Sequence, residues 1–74
     1  MSYNNKAFGI VISRIRTERG LSQTCFSDMA CIARSHLVML ENGKKTVRLD
    51  TFFRIAEALD MSPSDLIKLV EKEE

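Results

Sequence analysis

The 74-residue sequence has no tryptophan, one proline, three glycines, one histidine and two cysteines. It also lacks any apolar run near the roughly 20 residues that a helix needs to span a bilayer. The N-terminal segment MSYNNKAFG has no apolar region of the kind found in signal peptides. We therefore predict one small cytoplasmic domain without a membrane partner.

Five residues separate the two cysteines, Cys25 and Cys31, and the chain has a single histidine. This spacing is not that of a metal site, so we predict no metal and no cofactor. We expect two free thiols at half-buried positions, which suit small and weakly polar side chains. A redox-sensor role is the alternative.

The sequence also lacks the residue groups that carry catalysis. It has no paired acid and base, no phosphate-binding loop and no metal cluster, and a lone histidine supports no catalytic assignment. We therefore predict that the protein is not an enzyme, and no small-molecule substrate is evident.

The formal net charge of +1 hides a strong asymmetry. Residues 1–54 contain nine Lys/Arg and four Asp/Glu, a net charge of +5, whereas residues 55–74 contain two and six, a net charge of −4. A cationic body favours a polyanion on one face. The alternative is a solvated surface on which charges happen to be uneven.

Apolar periodicity predicts helices throughout the chain and no strand. Phe8, Val11, Ile12 and Ile15 give an amphipathic helix from about Lys6 to Arg19, with an interior glycine at position 9 that costs up to about 1 kcal/mol. A fourth helical stripe covers about Leu49 to Leu59: Leu49, Phe52, Phe53, Ile55, Ala56 and Leu59. Ser62-Pro63-Ser64-Asp65 begins a fifth helix with a capping box, whose apolar side is Leu66, Ile67, Leu69 and Val70. The predicted class is all-α, with frayed ends at residues 1–5 and 71–74.

The second and third helices lie between Ser22 and Gly43. Ser22 is a suitable N-cap, and Phe26, Met29 and Ala30 fall on one helical face. In the next helix, Leu37 and Leu40 define the buried side. The opposite side then carries Arg34, Ser35, Val38 and Met39, with His36 on the flank.

These segments resemble the phage-repressor and Cro-like helix-turn-helix family, also called the XRE family. The resemblance rests on ISRIRTERGLSQ, on ARSHLVMLENGK and on LDTFFRIAEALDMSPSDL, and it covers roughly Phe8 to Leu69. The small size is also similar to that of restriction–modification controller proteins, which are dimeric autoregulators. The resemblance implies a lambda-repressor-like domain of five helices that binds double-stranded DNA as a homodimer on a pseudo-palindromic operator.

In this family the second helix of the pair enters the major groove. The resemblance then implies base contacts from Arg34, Ser35 and Met39. From its apolar character and its place on the same face, Val38 is expected to contact a thymine methyl group. The resemblance implies phosphate contacts from Gln23, Asn42, Lys44 and Lys45, and we expect His36, on the flank of the helix, to lie near a phosphate. The family commonly pairs the positions of Arg16 and Glu41, which would orient the recognition helix.

A two-fold dimer would place two recognition helices about 34 Å apart on DNA. We expect Phe53, Leu69 and Val70 in its interface, the alternative being that Phe53 completes a small core. The sequence also departs from the family: Cys31 replaces a turn glycine, Ser27 replaces alanine, and Ala33 and Arg48 replace capping residues.

The main rival function keeps the fold. It is a protein-binding helix-turn-helix module, such as an antitoxin or an accessory subunit, and it would explain the apolar Val38 and Met39.

Overall fold

The structure is a computed structural model that describes residues 4–73, and over this range it contains five helices and no strand. The helices are α1 (Asn5–Glu18), α2 (Gln23–Met29), α3 (Arg34–Glu41), α4 (Leu49–Ala58) and α5 (Pro63–Glu73). The predicted all-α class and the number and order of helices are confirmed. Of the predicted frayed ends, residues 1–3 and 74 lie outside the described residues, while α1 begins at Asn5 and α5 runs to Glu73.

Three helices begin with a side-chain cap, which satisfies backbone N–H groups that have no partner inside the helix. Asn4 Oδ1 accepts from the N–H groups of Lys6 and Ala7 at 2.9 and 3.2 Å. The Oγ atoms of Ser22 and Ser62 accept from the backbone N–H three residues later, at 3.0 and 3.2 Å. In contrast, Ala33 and Arg48 supply no side-chain cap to α3 and α4, so these two helices depend on packing for their position.

The core lies where α1 meets α3 and α5, with α2 against α3 and α4 against α5. Phe8 and Phe52 meet at its centre with ring centroids 5.8 Å apart. Besides Phe53, three residues of the predicted apolar stripes are exposed rather than buried, because no neighbouring helix covers them: Met29, Leu49 and Ile67.

The apolar residues expected in a dimer interface lie in three different environments. Phe53 is 53% exposed, so it does not complete the core. Leu69 is partly buried against the core. Val70 is only 6% exposed. The assignment of Val70 to a surface patch is therefore wrong, since its side chain belongs to the core.

Gly9 lies where α1 crosses the C-terminal end of α3. A Cβ atom at this position would be 2.5 Å from the carbonyl oxygens of both Leu40 and Glu41. The absence of a side chain therefore sets how closely the two helices approach.

Among residues 4–73, no helix combines the length and the apolar character that crossing a membrane requires.

Candidate nucleic-acid interface

The turn between α2 and α3 is a Schellman motif, in which two N–H groups return to carbonyls of the preceding helix. Cys31 N–H donates to Asp28 O at 3.2 Å, and Ile32 N–H donates to Ser27 O at 3.0 Å. Cys31 has a φ of 58°, the left-handed conformation predicted for it if the turn is retained. Such a conformation costs a non-glycine residue about 1–2 kcal/mol.

Ser27, which replaces the usual alanine, is almost completely buried where α2 packs against α3. Its hydroxyl donates to Thr24 O within the same helix at 2.9 Å. The extra oxygen is therefore satisfied locally, and the helix pair is retained.

The orientation of α3 follows from two fully buried leucines, Leu37 and Leu40. Arg34 and Ser35 are exposed on the opposite side, and Met39 is 43% exposed. Val38 and His36 are half-buried. We call Arg34, Ser35, Val38 and Met39 the exposed face of α3.

Polar and basic residues follow the C-terminal end of α3. Asn42, Lys44 and Lys45 are all exposed. Within residues 4–73, no carboxylate pairs with Arg34, Lys44 or Lys45. The exposed face of α3 and the segment after it therefore carry three cationic groups that no acid neutralises.

The side chains of Arg16 and Glu41 form a two-point ion pair between α1 and α3. Arg16 Nε lies 2.6 Å from Glu41 Oε2, and Arg16 Nη2 lies 3.1 Å from Glu41 Oε1. Arg16 Nη1 also donates to Leu21 O at 2.8 Å, and Gln23 Nε2 donates to Glu41 Oε1 at 2.9 Å. The side chains of Arg16 and Glu41 are 14% and 5% exposed. One carboxylate thus joins α1, the start of α2 and the end of α3.

Two side-chain contacts in this region, one made by Gln23 and one by Arg54, did not follow from the sequence. Gln23 was predicted as a phosphate contact, but one of its amide N–H groups is used by Glu41. Arg54, which was assigned no role, donates from Nε to Ala30 O at 3.1 Å at the end of α2. The only sequence signal for Arg54 is a basic residue one turn after Asp50 and Thr51, which is typical of any exposed helix face.

Cys25 and Cys31 are both free and exposed, so the expectation of half-buried positions is wrong. Cys25 lies on the solvent-facing side of α2, and Cys31 lies in the turn that follows it. Across the described residues, no three His, Cys, Asp or Glu side chains form a group that could hold a metal ion.

A family model for helix-turn-helix domains, HTH_3, matches residues 12–66, which is most of the chain. The chain belongs to the HTH_3 helix-turn-helix family. It is 33% identical over 67 residues to the control protein C.MunI from Mycoplasma sp, covering 89% of this chain and 90% of that protein.

Solved structures place this HTH_3 protein among similar folds. The restriction–modification controller protein C.AhdI from Aeromonas hydrophila is 31% identical, with a TM-score of 0.82 over 88% of this chain and 98% of that one. C.Esp1396I, solved as a tetramer in complex with its natural 35 base-pair operator, has a TM-score of 0.87 at 20% identity and covers 99% and 96% of the two chains. At 20% identity, the likeness to C.Esp1396I shows a shared fold and no more.

Membership of the HTH_3 family confirms the XRE-type resemblance and the DNA-binding class. The base, phosphate and dimer contacts of individual residues and the cytoplasmic location stay predictions.

Proposed function

We propose that this protein is a transcription regulator that binds a specific site on double-stranded DNA as a homodimer, through the exposed face of α3. The main support is the orientation of α3: Leu37 and Leu40 are buried, while Arg34, Ser35 and Met39 are exposed. The relatives add support, since one is named a control protein and another was solved on its operator. By analogy, the site lies upstream of the protein's own gene, which would make it autoregulatory.

Base recognition is assigned to the exposed face of α3. Arg34 donates two parallel hydrogen bonds to guanine O6 and N7. Ser35 bonds a base edge or a phosphate with little selectivity. Val38 and Met39 contact thymine methyl groups, which apolar side chains recognise.

Phosphate contacts are assigned to residues on both sides of α3. The Gln23 amide carries two N–H groups; one is bonded to Glu41, and the other is assigned to a phosphate oxygen. Its contact with the DNA backbone would then be fixed in direction by the same carboxylate that anchors α3. The other residues assigned to phosphate contacts are Asn42, Lys44, Lys45 and the flanking His36.

The proposal is tested by titrating a labelled DNA fragment from immediately upstream of the gene and a scrambled fragment of equal length. We expect tighter binding to the upstream fragment, footprint protection of a pseudo-palindrome, and an affinity that falls steeply as salt rises. Equal affinity for both fragments at modest salt would reject a specific operator.

Arg34→Ala should relax the preference at one base position of each half-site, with a loss of about 1–3 kcal/mol of discrimination. Lys44→Ala is the matched control, because it also removes one exposed cation. Lys44→Ala should weaken binding to all DNA sequences alike. It should also reduce the slope of the logarithm of affinity against the logarithm of salt concentration by about one, the contribution of one phosphate contact. Measurements on operators substituted at single positions distinguish the two, and a uniform loss for Arg34→Ala would exclude it as a base contact.

The proposed dimer interface centres on the exposed ring of Phe53. Phe53, Met61 and Pro63 form the apolar part of a shallow groove where α4 turns into α5, and the polar part is formed by Arg54, Glu57, Asp60 and Ser62. Leu49, one turn before Phe53 on α4, is 72% exposed and extends the apolar surface. Leu69 adds a partly buried edge. A second copy of the chain would cover these side chains and bring two α3 helices to one face.

Phe53→Glu should convert the protein from a dimer to a monomer at tens of micromolar, because it places a carboxylate in the apolar centre of the interface. Ile10→Glu is the control, since Ile10 on α1 is 40% exposed and lies outside the proposed patch. Sedimentation equilibrium measures both. A wild-type protein that sediments as a monomer, or a dimer that survives Phe53→Glu, would overturn this interface.

A protein-binding module remains the second candidate function. It is favoured by Met39, an exposed apolar side chain in the middle of the proposed base-reading face. The upstream-fragment titration decides between them, because a module of this kind shows no preference over scrambled DNA.

A further inference from the structure

The Schellman turn between α2 and α3 carries an unusual residue at its left-handed position. Cys31 has a φ of 58°, a conformation that glycine adopts freely and other L residues disfavour. Its own thiol does not stabilise this conformation, because the side chain is exposed. The backbone bonds of Cys31 and Ile32 hold it from within the turn, as equivalent bonds hold Asp60, with the same φ of 58°, after α4. A contact from outside the turn adds to them.

Arg54 on α4 makes the contact that can do so. Its Nε donates to Ala30 O at 3.1 Å, and its Nη2 donates to Thr51 Oγ1 at 3.3 Å, while Asp50 Oδ2 lies 3.8 Å from Nη1. Ala30 is the C-cap of α2, where carbonyls lack helical partners and a cation is favourable. The guanidinium is thus held by α4 while it binds the end of α2.

The geometry of the peptide bond links this contact to Cys31. The Ala30 carbonyl belongs to the planar peptide unit that runs from Ala30 Cα to Cys31 Cα. A fixed carbonyl direction fixes that plane, and φ of Cys31 is the next rotation along the chain. The α3 helix begins three residues later without a side-chain cap, so its direction relative to α2 depends on this rotation.

We propose that Arg54 is a positioning residue for α3, which acts by holding the left-handed conformation of Cys31 through the Ala30 carbonyl. The DNA-binding consequence rests on the proposed function, whereas the effect on the turn does not.

The test combines Arg54→Met with two changes at Cys31. Amide hydrogen exchange of Ile32 reports the turn, because this N–H closes the Schellman motif on Ser27 O. Arg54→Met should raise the exchange rate of Ile32 roughly ten-fold relative to that of the Leu37 amide. This is the effect expected from the loss of one charge-assisted hydrogen bond. Adding Cys31→Gly should restore protection to within about two-fold of wild type, since glycine needs no external support. Adding Cys31→Ala should not, because alanine lacks the thiol but keeps the Cβ.

Two further variants exclude a general effect on stability. Arg14→Met removes an arginine that, among residues 4–73, pairs with Glu73 alone at an exposed site, and it should leave the exchange rate of Ile32 unchanged. Arg54→Lys should be intermediate, because a lysine ammonium lacks the fork of donors that reaches Ala30 and Thr51 together. Unchanged Ile32 exchange in Arg54→Met, or a rise that Cys31→Gly fails to reverse, would overturn the proposal.

DNA binding is measured in parallel on the upstream fragment. Arg54→Met should weaken specific binding about ten-fold, and Cys31→Gly should recover most of the loss. If the exchange pattern is seen but wild-type protein shows no specific binding, the proposed function fails and the role of Arg54 stands. If binding is specific but the exchange pattern is absent, the proposed function stands and the role of Arg54 fails.

Discussion

Replacing Glu41 with alanine should destabilise the protein by about 3–5 kcal/mol, the range seen when one member of a buried ion pair is removed. The change leaves the Arg16 guanidinium, which is largely enclosed between helices, without its anion. It also removes the acceptor of the Gln23 amide. For a domain of this size the whole stability is about 4–11 kcal/mol, so the loss is a large part of it. Urea unfolding measures the effect.

Glu73→Ala is the matched control for this prediction. It also removes one carboxylate from an arginine, but the Arg14–Glu73 pair is more exposed and joins α1 to the end of α5. Such pairs contribute at most about 1 kcal/mol. Equal losses of stability for Glu41→Ala and Glu73→Ala would show that the Arg16–Glu41 pair stabilises the fold no more than an exposed pair does.

The double variant Arg16→Met/Glu41→Leu separates stability from orientation. Apolar replacements of both partners remove the unpaired charge and should recover much of the stability. They do not restore the bond from Gln23 to the end of α3. We therefore expect a folded protein whose DNA affinity stays reduced, measured on the upstream fragment. Full recovery of binding would mean that the pair stabilises the fold without orienting α3.

Local patterns were sufficient to predict the helices and the direction of α3. Phe8, Val11, Ile12 and Ile15 are buried as their spacing predicts, and all four belong to the core. The orientation of α3 follows from Leu37 and Leu40 alone, since two leucines three positions apart define one face of a two-turn helix. The caps at Ser22 and Ser62 are equally local, because each contact spans three residues.

Contacts between distant segments were not predictable in the same way. The bond from Gln23 to Glu41 spans 18 residues, and the bond from Arg54 to Ala30 spans 24. Both depend on where one helix ends against another, which apolar periodicity does not encode. The Arg16–Glu41 pair spans 25 residues and was anticipated only through the family resemblance.

A further group of errors concerns which residues of the apolar stripes are buried. Val70 follows Leu69 on α5, and sequence spacing alone placed both in one interface. In the fold Val70 is buried and Leu69 is only partly so. The opposite error was made for Met29, Leu49 and Ile67, which lie on apolar stripes but are exposed. Which edge of a stripe is covered depends on the neighbouring helices, and that is a property of the tertiary structure.

Gly9→Ala should destabilise the protein by about 2–3 kcal/mol, although alanine is the better helix former by up to about 1 kcal/mol. The added Cβ would lie 2.5 Å from Leu40 O and Glu41 O and 2.8 Å from the Glu41 carbonyl carbon. These are backbone atoms, so α1 and α3 must move apart. Thermal or urea unfolding should show the loss.

Gly20→Ala is the control, because Gly20 has a φ of 69° and open space around its Cβ position. It should cost only the conformational penalty, about 1–2 kcal/mol. A gain in stability for Gly9→Ala, or a loss no larger than that of Gly20→Ala, would contradict the close helix crossing. The Gly9 clash and the Arg16 ion pair both involve Glu41, so Gly9→Ala and Glu41→Ala should be less than additive when combined. Once α3 has moved away from α1, the ion pair that bridges them is already weakened.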